Sequence, residues 1–252
     1  MLDFLKSPVA AIQDFYILSG RALRNVARTP HYESDIMIQM DIIGVGSLPI
    51  VMLIGFFTGL VITMQMSRAL QQYGAVDQVG PIVAITLVRE LGPVLTAVLV
   101  AGRNASGIAS ELGSMKVTEQ IDAMRALGTD PIQKLVTPRM IATAVMLPML
   151  TVIADFVGLF GGFLIARFSL GLNSTQFWTS AYRAIEYNDI VQGLFKPFVF
   201  AFIVSLVGCF YGLRTTGGTQ GVGRSTTQAV VVASVWVFVV TSLITRIFVN
   251  RH

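Results

Sequence analysis

Five stretches of the chain, at about 42–66, 81–101, 140–166, 191–213 and 229–249, stay apolar over roughly 20 residues or more, the length a helix needs to cross a hydrocarbon core of about 30 Å. Backbone in lipid must satisfy its own hydrogen bonds, and apolar runs of this length do so as helices. The expected fold is therefore an all-α integral membrane protein with five transmembrane helices. Composition agrees, since 54% of the 252 residues are hydrophobic and 13% charged, against about 25% charged in soluble domains. The net charge of +4 is spread along the loops without interleaved aromatics, which argues for a positive-inside bias and against nucleic acid. Cys209 is the single cysteine; it leaves no disulfide framework and no thiolate metal site.

Residues 1–41 form an N-terminal segment, and 42–252 the transmembrane domain. The opening Met-Leu-Asp-Phe-Leu-Lys lacks the apolar core of a signal peptide, so the N-terminus is expected to be retained. Between Pro8 and Arg28, Val9, Ile12, Tyr16, Leu23 and Val26 share a helical face, with Arg21, Arg24 and Arg28 for anionic headgroups. An interfacial amphipathic helix is expected there, the alternative being a solvated tail helix. Gly44, Gly46, Pro49, Gly55 and Gly59 permit the first span either close helix contacts or a broken, re-entrant path. Residues 168–190 carry Phe177, Trp178, Tyr182 and Tyr187, as suits a short helix at the water interface. Lys6, Arg21, Arg24, Arg28, Arg103, Lys116, Arg125, Lys134, Arg139, Arg214 and Arg224 fall on one side, expected to be cytoplasmic. Arg68, Arg167, Arg183, Arg246 and Arg251 fall on the other.

The second span contains Arg89-Glu-Leu-Gly-Pro93. A charge near a helix centre costs roughly 2.5 to 3.5 kcal/mol on insertion scales, and such a cost marks function. Adjacent helical residues point about 100° apart, so Arg89 and Glu90 each need another partner. Lys196, near the start of the fourth span, could reach Glu90 or a lipid phosphate.

A polar interruption, Arg103 to Pro131, separates the second and third spans. Within it Val117, Ile121, Met124 and Leu127 share one face, and Glu119, Gln120, Asp122 and Arg125 take the other. Ser114 or Thr118 can cap the start; Gly128 and Pro131 stop it. The resulting helix, about 115–127, is too short to span a bilayer, and its apolar face is expected to bury itself in a groove of a partner.

Gly218-Thr-Gln-Gly-Val-Gly-Arg-Ser225 fits a phosphate-binding loop except that Arg224 replaces the lysine, and it follows a membrane helix instead of a buried strand. It is expected to be a flexible cytoplasmic turn. His31 and His252 lie at opposite ends, no metal-ligand cluster or catalytic set is credible, no cofactor is indicated, and the chain does not read as an enzyme.

Arg89-Glu-Leu-Gly-Pro, Ala101-Gly-Arg-Asn-Ala-Ser, Glu111-Leu-Gly-Ser-Met-Lys-Val-Thr-Glu-Gln-Ile-Asp-Ala-Met and Gly217-Gly-Thr-Gln-Gly-Val-Gly-Arg-Ser-Thr-Thr resemble the MlaE (YrbE-like) permeases over nearly the whole chain. The resemblance implies the permease subunit of an ABC transporter that moves phospholipid between the inner and outer membranes of Gram-negative bacteria or plastid-like systems and maintains outer-membrane lipid asymmetry. It also implies a bacterial inner-membrane location, a homodimer, a cytoplasmic ABC ATPase that hydrolyses the ATP, a periplasmic MCE-domain protein and, in some members, a STAS-domain subunit. By the same resemblance Leu70, Tyr73, Arg89, Glu90 and Lys196 belong to a lipid path. Glu111, Lys116, Val117, Glu119, Ile121, Asp122 and Met124 belong to ATPase coupling. Two other classes remain open: a secondary transporter relaying protons or ions through Arg89, Glu90 and Asp155, and a membrane scaffold that transports nothing.

Overall fold

The structure, a computed structural model, describes residues 2–30 and 32–249, with side-chain burial given for residues 10–30 and 32–248. His31, Arg251 and His252 lie outside the described residues, as do the side chains of Lys6 and Val9. Among the described residues every regular element is helical. In order they are α1 (Leu2–Asn25), α2 (Glu33–Ile43), α3 (Leu48–Gln72), α4 (Val76–Val117), α5 (Gln120–Ala126), α6 (Ile132–Leu170), α7 (Ser174–Ala184), α8 (Tyr187–Leu213) and α9 (Gly218–Val249). Five helical stretches are long and apolar enough to cross a membrane: α2 with α3, α4, α6, α8 and α9. The chain is an all-α integral membrane protein.

It divides into two compact units. The first comprises Met1–Ile43, Val100–Val145 and Ala201–Trp236. Its core gathers Leu18, Ala22, Ile108, Leu112, Ile121, Met140 and Cys209. Gly212 lets α8 meet α4 closely, since a Cβ there would lie 2.7 Å from that of Leu112. Phe15 of α1 packs edge-on against Phe210, ring centroids 5.5 Å apart. The inward face of α1 is thus Phe15, Leu18 and Ala22, while Ile12, Tyr16, Leu23 and Val26 stay exposed.

The second unit comprises Gly44–Leu99, Met146–Phe200 and Val237–His252. Here α3 runs unbroken from Leu48 to Gln72, and its glycines serve contact instead of a re-entrant break. A Cβ on Gly59 would overlap the carbonyl of Gly158, and one on Gly55 would meet the Ala154 carbonyl at 2.8 Å. Small residues at such crossings let helix backbones approach in a membrane. Asn173 caps α7 by accepting from the Thr175 N–H at 3.0 Å. The buried Phe177 and its neighbour Trp178 then pack with Phe163. Exposed Phe57, Phe156 and Val152 are the apolar surface that a bilayer accommodates.

Three expectations are corrected. The polar run from Arg103 does not end the helix that carries the second span: α4 continues through it to Val117, with a π-turn at Ala101–Ala105. The helix expected over 115–127 is two pieces. Thr118 closes the first by donating to the Ser114 carbonyl at 2.9 Å, so its hydroxyl does not open the second, and Glu119 turns the chain at φ 60°. The glycine-rich stretch is no flexible turn. Only Gly217 and Gly218 are left-handed there, α9 begins at Gly218, and the Thr215 hydroxyl ties to that of Ser225 at 2.9 Å.

Candidate functional site

In the second unit, α4 carries Arg89-Glu-Leu-Gly-Pro93 through a π-turn, Leu87–Leu91. Pro93 has no N–H, so the Arg89 carbonyl four residues earlier loses its α-helical donor. Lys196 of α8 supplies one: its Nζ donates to the Arg89 carbonyl at 2.9 Å, to the Thr245 hydroxyl at 3.0 Å and to Glu90 Oε2 at 2.6 Å. Those acceptors engage the three protons of an ammonium. Thr245 of α9 relays, accepting from Lys196 and donating to Glu90 Oε1 at 3.0 Å. Arg89 turns the other way, its Nε donating to Asp189 Oδ1 at 2.8 Å and its Nη2 pairing with the same oxygen. Asp189 is buried and also accepts the Glu186 N–H at 3.1 Å, which fixes the start of α8.

Two neighbouring charges thus find two separate partners, as their 100° divergence requires. Lys196, which the resemblance places on a lipid path, is enclosed within the second unit. Its side chain has no exposed surface, and its donors are spent inside the chain. Arg89 and Glu90 remain partly open, with side chains 38% and 32% exposed. Leu70 is half-buried against Val79, Val83 and Leu87, and Tyr73, 82% exposed, ends α3. Neither lines the pocket beside Arg89. Asp155 of α6 abuts Gly92, where a Cβ would overlap its carboxylate, and its Oδ1 has no hydrogen-bond partner among the described residues.

In the first unit, α5 sits on a base of its own chain. Ile121 is fully buried in the core cluster and Met124 packs against it. This corrects the expectation that Ile121 inserts into a partner: a side chain already surrounded by Leu112, Leu135 and Cys209 has no surface left to offer. Lys116 bridges the break between helices by pairing with Asp122 at 2.7 Å, and Arg125 adds a second bond to Asp122 at 3.0 Å. The Lys116 hydrogen bond is the main reason the Asp122 carboxyl is held below its usual range. Glu111 anchors α4 to α6 through the buried Arg139 at 2.7 Å. Val117 is half-buried at the end of α4, while Glu119 and Leu127, the latter 84% exposed, form the outward edge of the α5 region. Thr245 and Asp189 were missed by sequence reading. Asp189 lies two turns before Lys196 on one face of α8, a spacing that could have flagged it.

Residues 36–247 match the family model described as Permease MlaE. The chain belongs to the MlaE permease family. A probable ABC transporter permease protein of Rickettsia typhi is 41% identical over 233 residues, covering 92% of this chain and 90% of that protein. The MlaE-family chain is also 41% identical to a probable ABC transporter permease protein of Synechocystis, over 89% of its own length and 85% of the relative's. A chloroplastic protein of Arabidopsis thaliana, TRIGALACTOSYLDIACYLGLYCEROL 1, is 37% identical over 92% of this chain and 66% of that protein.

Proposed function

We propose that this chain is the membrane permease subunit of an ABC transporter that moves phospholipid between inner and outer membranes and so maintains outer-membrane lipid asymmetry. ATP hydrolysis then belongs to a separate cytoplasmic subunit. A second copy of this chain, a periplasmic MCE-domain lipid carrier and, in some assemblies, a STAS-domain subunit complete the machine. Its place is the inner membrane of a bacterium, several times crossed. Membership in the MlaE permease family supports the permease role, the relatives' names support ABC coupling, and the glycerolipid in the Arabidopsis relative's name supports a lipid cargo.

The observation that carries coupling is the geometry of α5. Its inner face is locked by Ile121 and Met124 and its base by Lys116 and Asp122, while Glu119, Arg125 and Leu127 face outward. A short helix stiffened from behind transmits a push instead of absorbing it. Lys116 and Val117 join it to the long helix α4, which Glu111 ties to α6 and whose π-turns at Leu87–Leu91 and Ala101–Ala105 are places where such a helix can bend. Movement at α5 would then reach Arg89 and Glu90, with Leu70 and Tyr73 contributing to the lipid path and Lys196 holding Glu90 from within. Native purification followed by mass spectrometry of bound proteins and lipids tests the reading. A co-purifying nucleotide-binding subunit together with phospholipid is expected; coupled transport by the purified chain alone, with no ATPase, would replace it by the secondary-transporter class.

A further inference from the structure

Beside the ionic cluster lies a pocket of about 320 Å³ whose lining includes Ile85, Arg89, Glu186, Asn188, Gln192 and Phe248. That volume is at the lower end of small-molecule sites, roughly 300 Å³ and upward. Two of its donors are uncommitted. Gln192 is only 4% exposed, yet its amide nitrogen has no hydrogen-bond partner among the described residues, and a buried donor left so asks for an acceptor. Arg89 spends Nε and Nη2 on Asp189, and its Nη1 makes no bond among the described residues. The lining is also charged unevenly. Arg89 and Asp189 neutralise each other, while Glu186 has no ion pair among the described residues, so the lining keeps its negative charge. Asp189 holds the Glu186 backbone, which fixes that carboxylate's root relative to Arg89.

We propose that this pocket is a headgroup subsite that selects zwitterionic, amine-bearing phospholipids over anionic ones. The inference rests on the phospholipid reading above and deepens it. Phosphate oxygens accept from Arg89 Nη1 and the Gln192 amide, the ammonium pairs with Glu186, and Ile85 and Phe248 border the start of the acyl chains. An anionic headgroup supplies the phosphate without the cation. It then sets a net negative charge against the exposed Glu186 carboxylate, with the cationic Arg89 already paired to Asp189.

The test exchanges the purified full-length chain, with whatever subunits accompany it, into vesicles of equal phosphatidylethanolamine and phosphatidylglycerol. Lipids retained after gentle extraction are then counted by mass spectrometry. Wild type should enrich the amine-bearing lipid about fivefold over the mixture, the worth of one partly exposed ion pair. Glu186→Gln should bring the ratio near that of the mixture, and Glu186→Lys should invert it. Gln192→Leu should lower retention of both lipids without inverting their ratio, and Gln192→Asn guards against a folding defect. Lipid retained at the mixture ratio, or a ratio that ignores Glu186→Lys, overturns the selectivity while leaving phospholipid as cargo. No retained phospholipid of either kind overturns the underlying reading instead. Soluble phosphoethanolamine is added in a parallel arm: if it clears the lipid at equimolar amounts, the site belongs to a free phosphoester and the subsite assignment fails.

Discussion

Lys196 Nζ lies 2.6 Å from Glu90 Oε2, with the lysine side chain wholly buried and the Thr245 hydroxyl bonded to both residues. The pair is therefore part of how α4, α8 and α9 hold together in their unit. Removing one partner of a buried pair leaves an uncompensated charge, at a cost of about 3 to 5 kcal/mol. Glu90→Gln should accordingly lower the thermal unfolding midpoint of the solubilised chain sharply. Combining Glu90→Lys with Lys196→Glu should recover a substantial part of the loss, because attraction survives the swap. Thr245→Val, which keeps the shape and removes both hydrogen bonds, should cost about 1 to 3 kcal/mol. A double swap no better than the sum of its parts would show that the pairing contributes little.

The α3–α6 crossing makes a sharper structural prediction. A methyl on Gly59 would collide with the backbone carbonyl of Gly158, and backbone cannot swing aside as a side chain can. Gly59→Ala should therefore separate the helices and cost several kcal/mol, within the range of severe core overpacking. A Cβ on Gly107 of α4 would meet nothing within 4 Å, so Gly107→Ala should be neutral or stabilising by up to about 1 kcal/mol. Unfolding midpoints of the two variants, side by side, check the contrast.

Acid should loosen the base of α5 in a defined window. The Lys116 hydrogen bond, followed by the charges of Lys116 and Arg125, holds the Asp122 carboxyl below its ordinary value of 3.8. A group whose folded pKa is lowered contributes stability that is present above the unfolded value and lost as pH falls through the folded one. Amide exchange protection over Gln120–Ala126, corrected for intrinsic rate, should thus be flat from pH 7 to 5 and decline only below about pH 4. Asp122→Asn should abolish the acid-side decline. A decline centred near pH 6 would assign it to some other group.

What was legible in the sequence follows from what local pattern can encode. Apolar runs long enough to span lipid located the five membrane helices, because the bilayer imposes that length without help from tertiary contacts. The divergence of Arg89 and Glu90 was legible too, since it needs only the 100° step of a helix. Their partners were not: Asp189 and Thr245 lie 100 and 155 residues away from them in the chain, and only packing brings them in. Helix boundaries failed where polarity was read as a break. Polar side chains do not end a helix whose backbone hydrogen bonds are internal, and within this run Arg103 donates outward to the Ile42 carbonyl at 3.2 Å. The face of α5 failed for a related reason. Periodicity identified Ile121 as apolar and one-sided but could not say whether its cover came from a partner or from Leu112 and Leu135 of the same chain.

That ambiguity now gives a clean experiment on α5. Ile121 is fully buried, so Ile121→Asp places an unpaired carboxylate in the core of the first unit, at a cost of several kcal/mol. It should reduce the folded yield and unfolding midpoint before any question of partners arises. Leu127 is 84% exposed at the end of the same helix, where Leu127→Asp disturbs no internal contact of the core cluster. The variant should fold normally, yet lose at least tenfold in its association with an ATPase subunit, the effect of truncating one apolar anchor worth about 1.4 kcal/mol or more. Midpoints and pull-down yields of the two variants separate the roles. If Leu127→Asp binds the ATPase and supports transport as well as wild type does, the outward edge of α5 is not the contact, and coupling must be sought on another surface of the first unit.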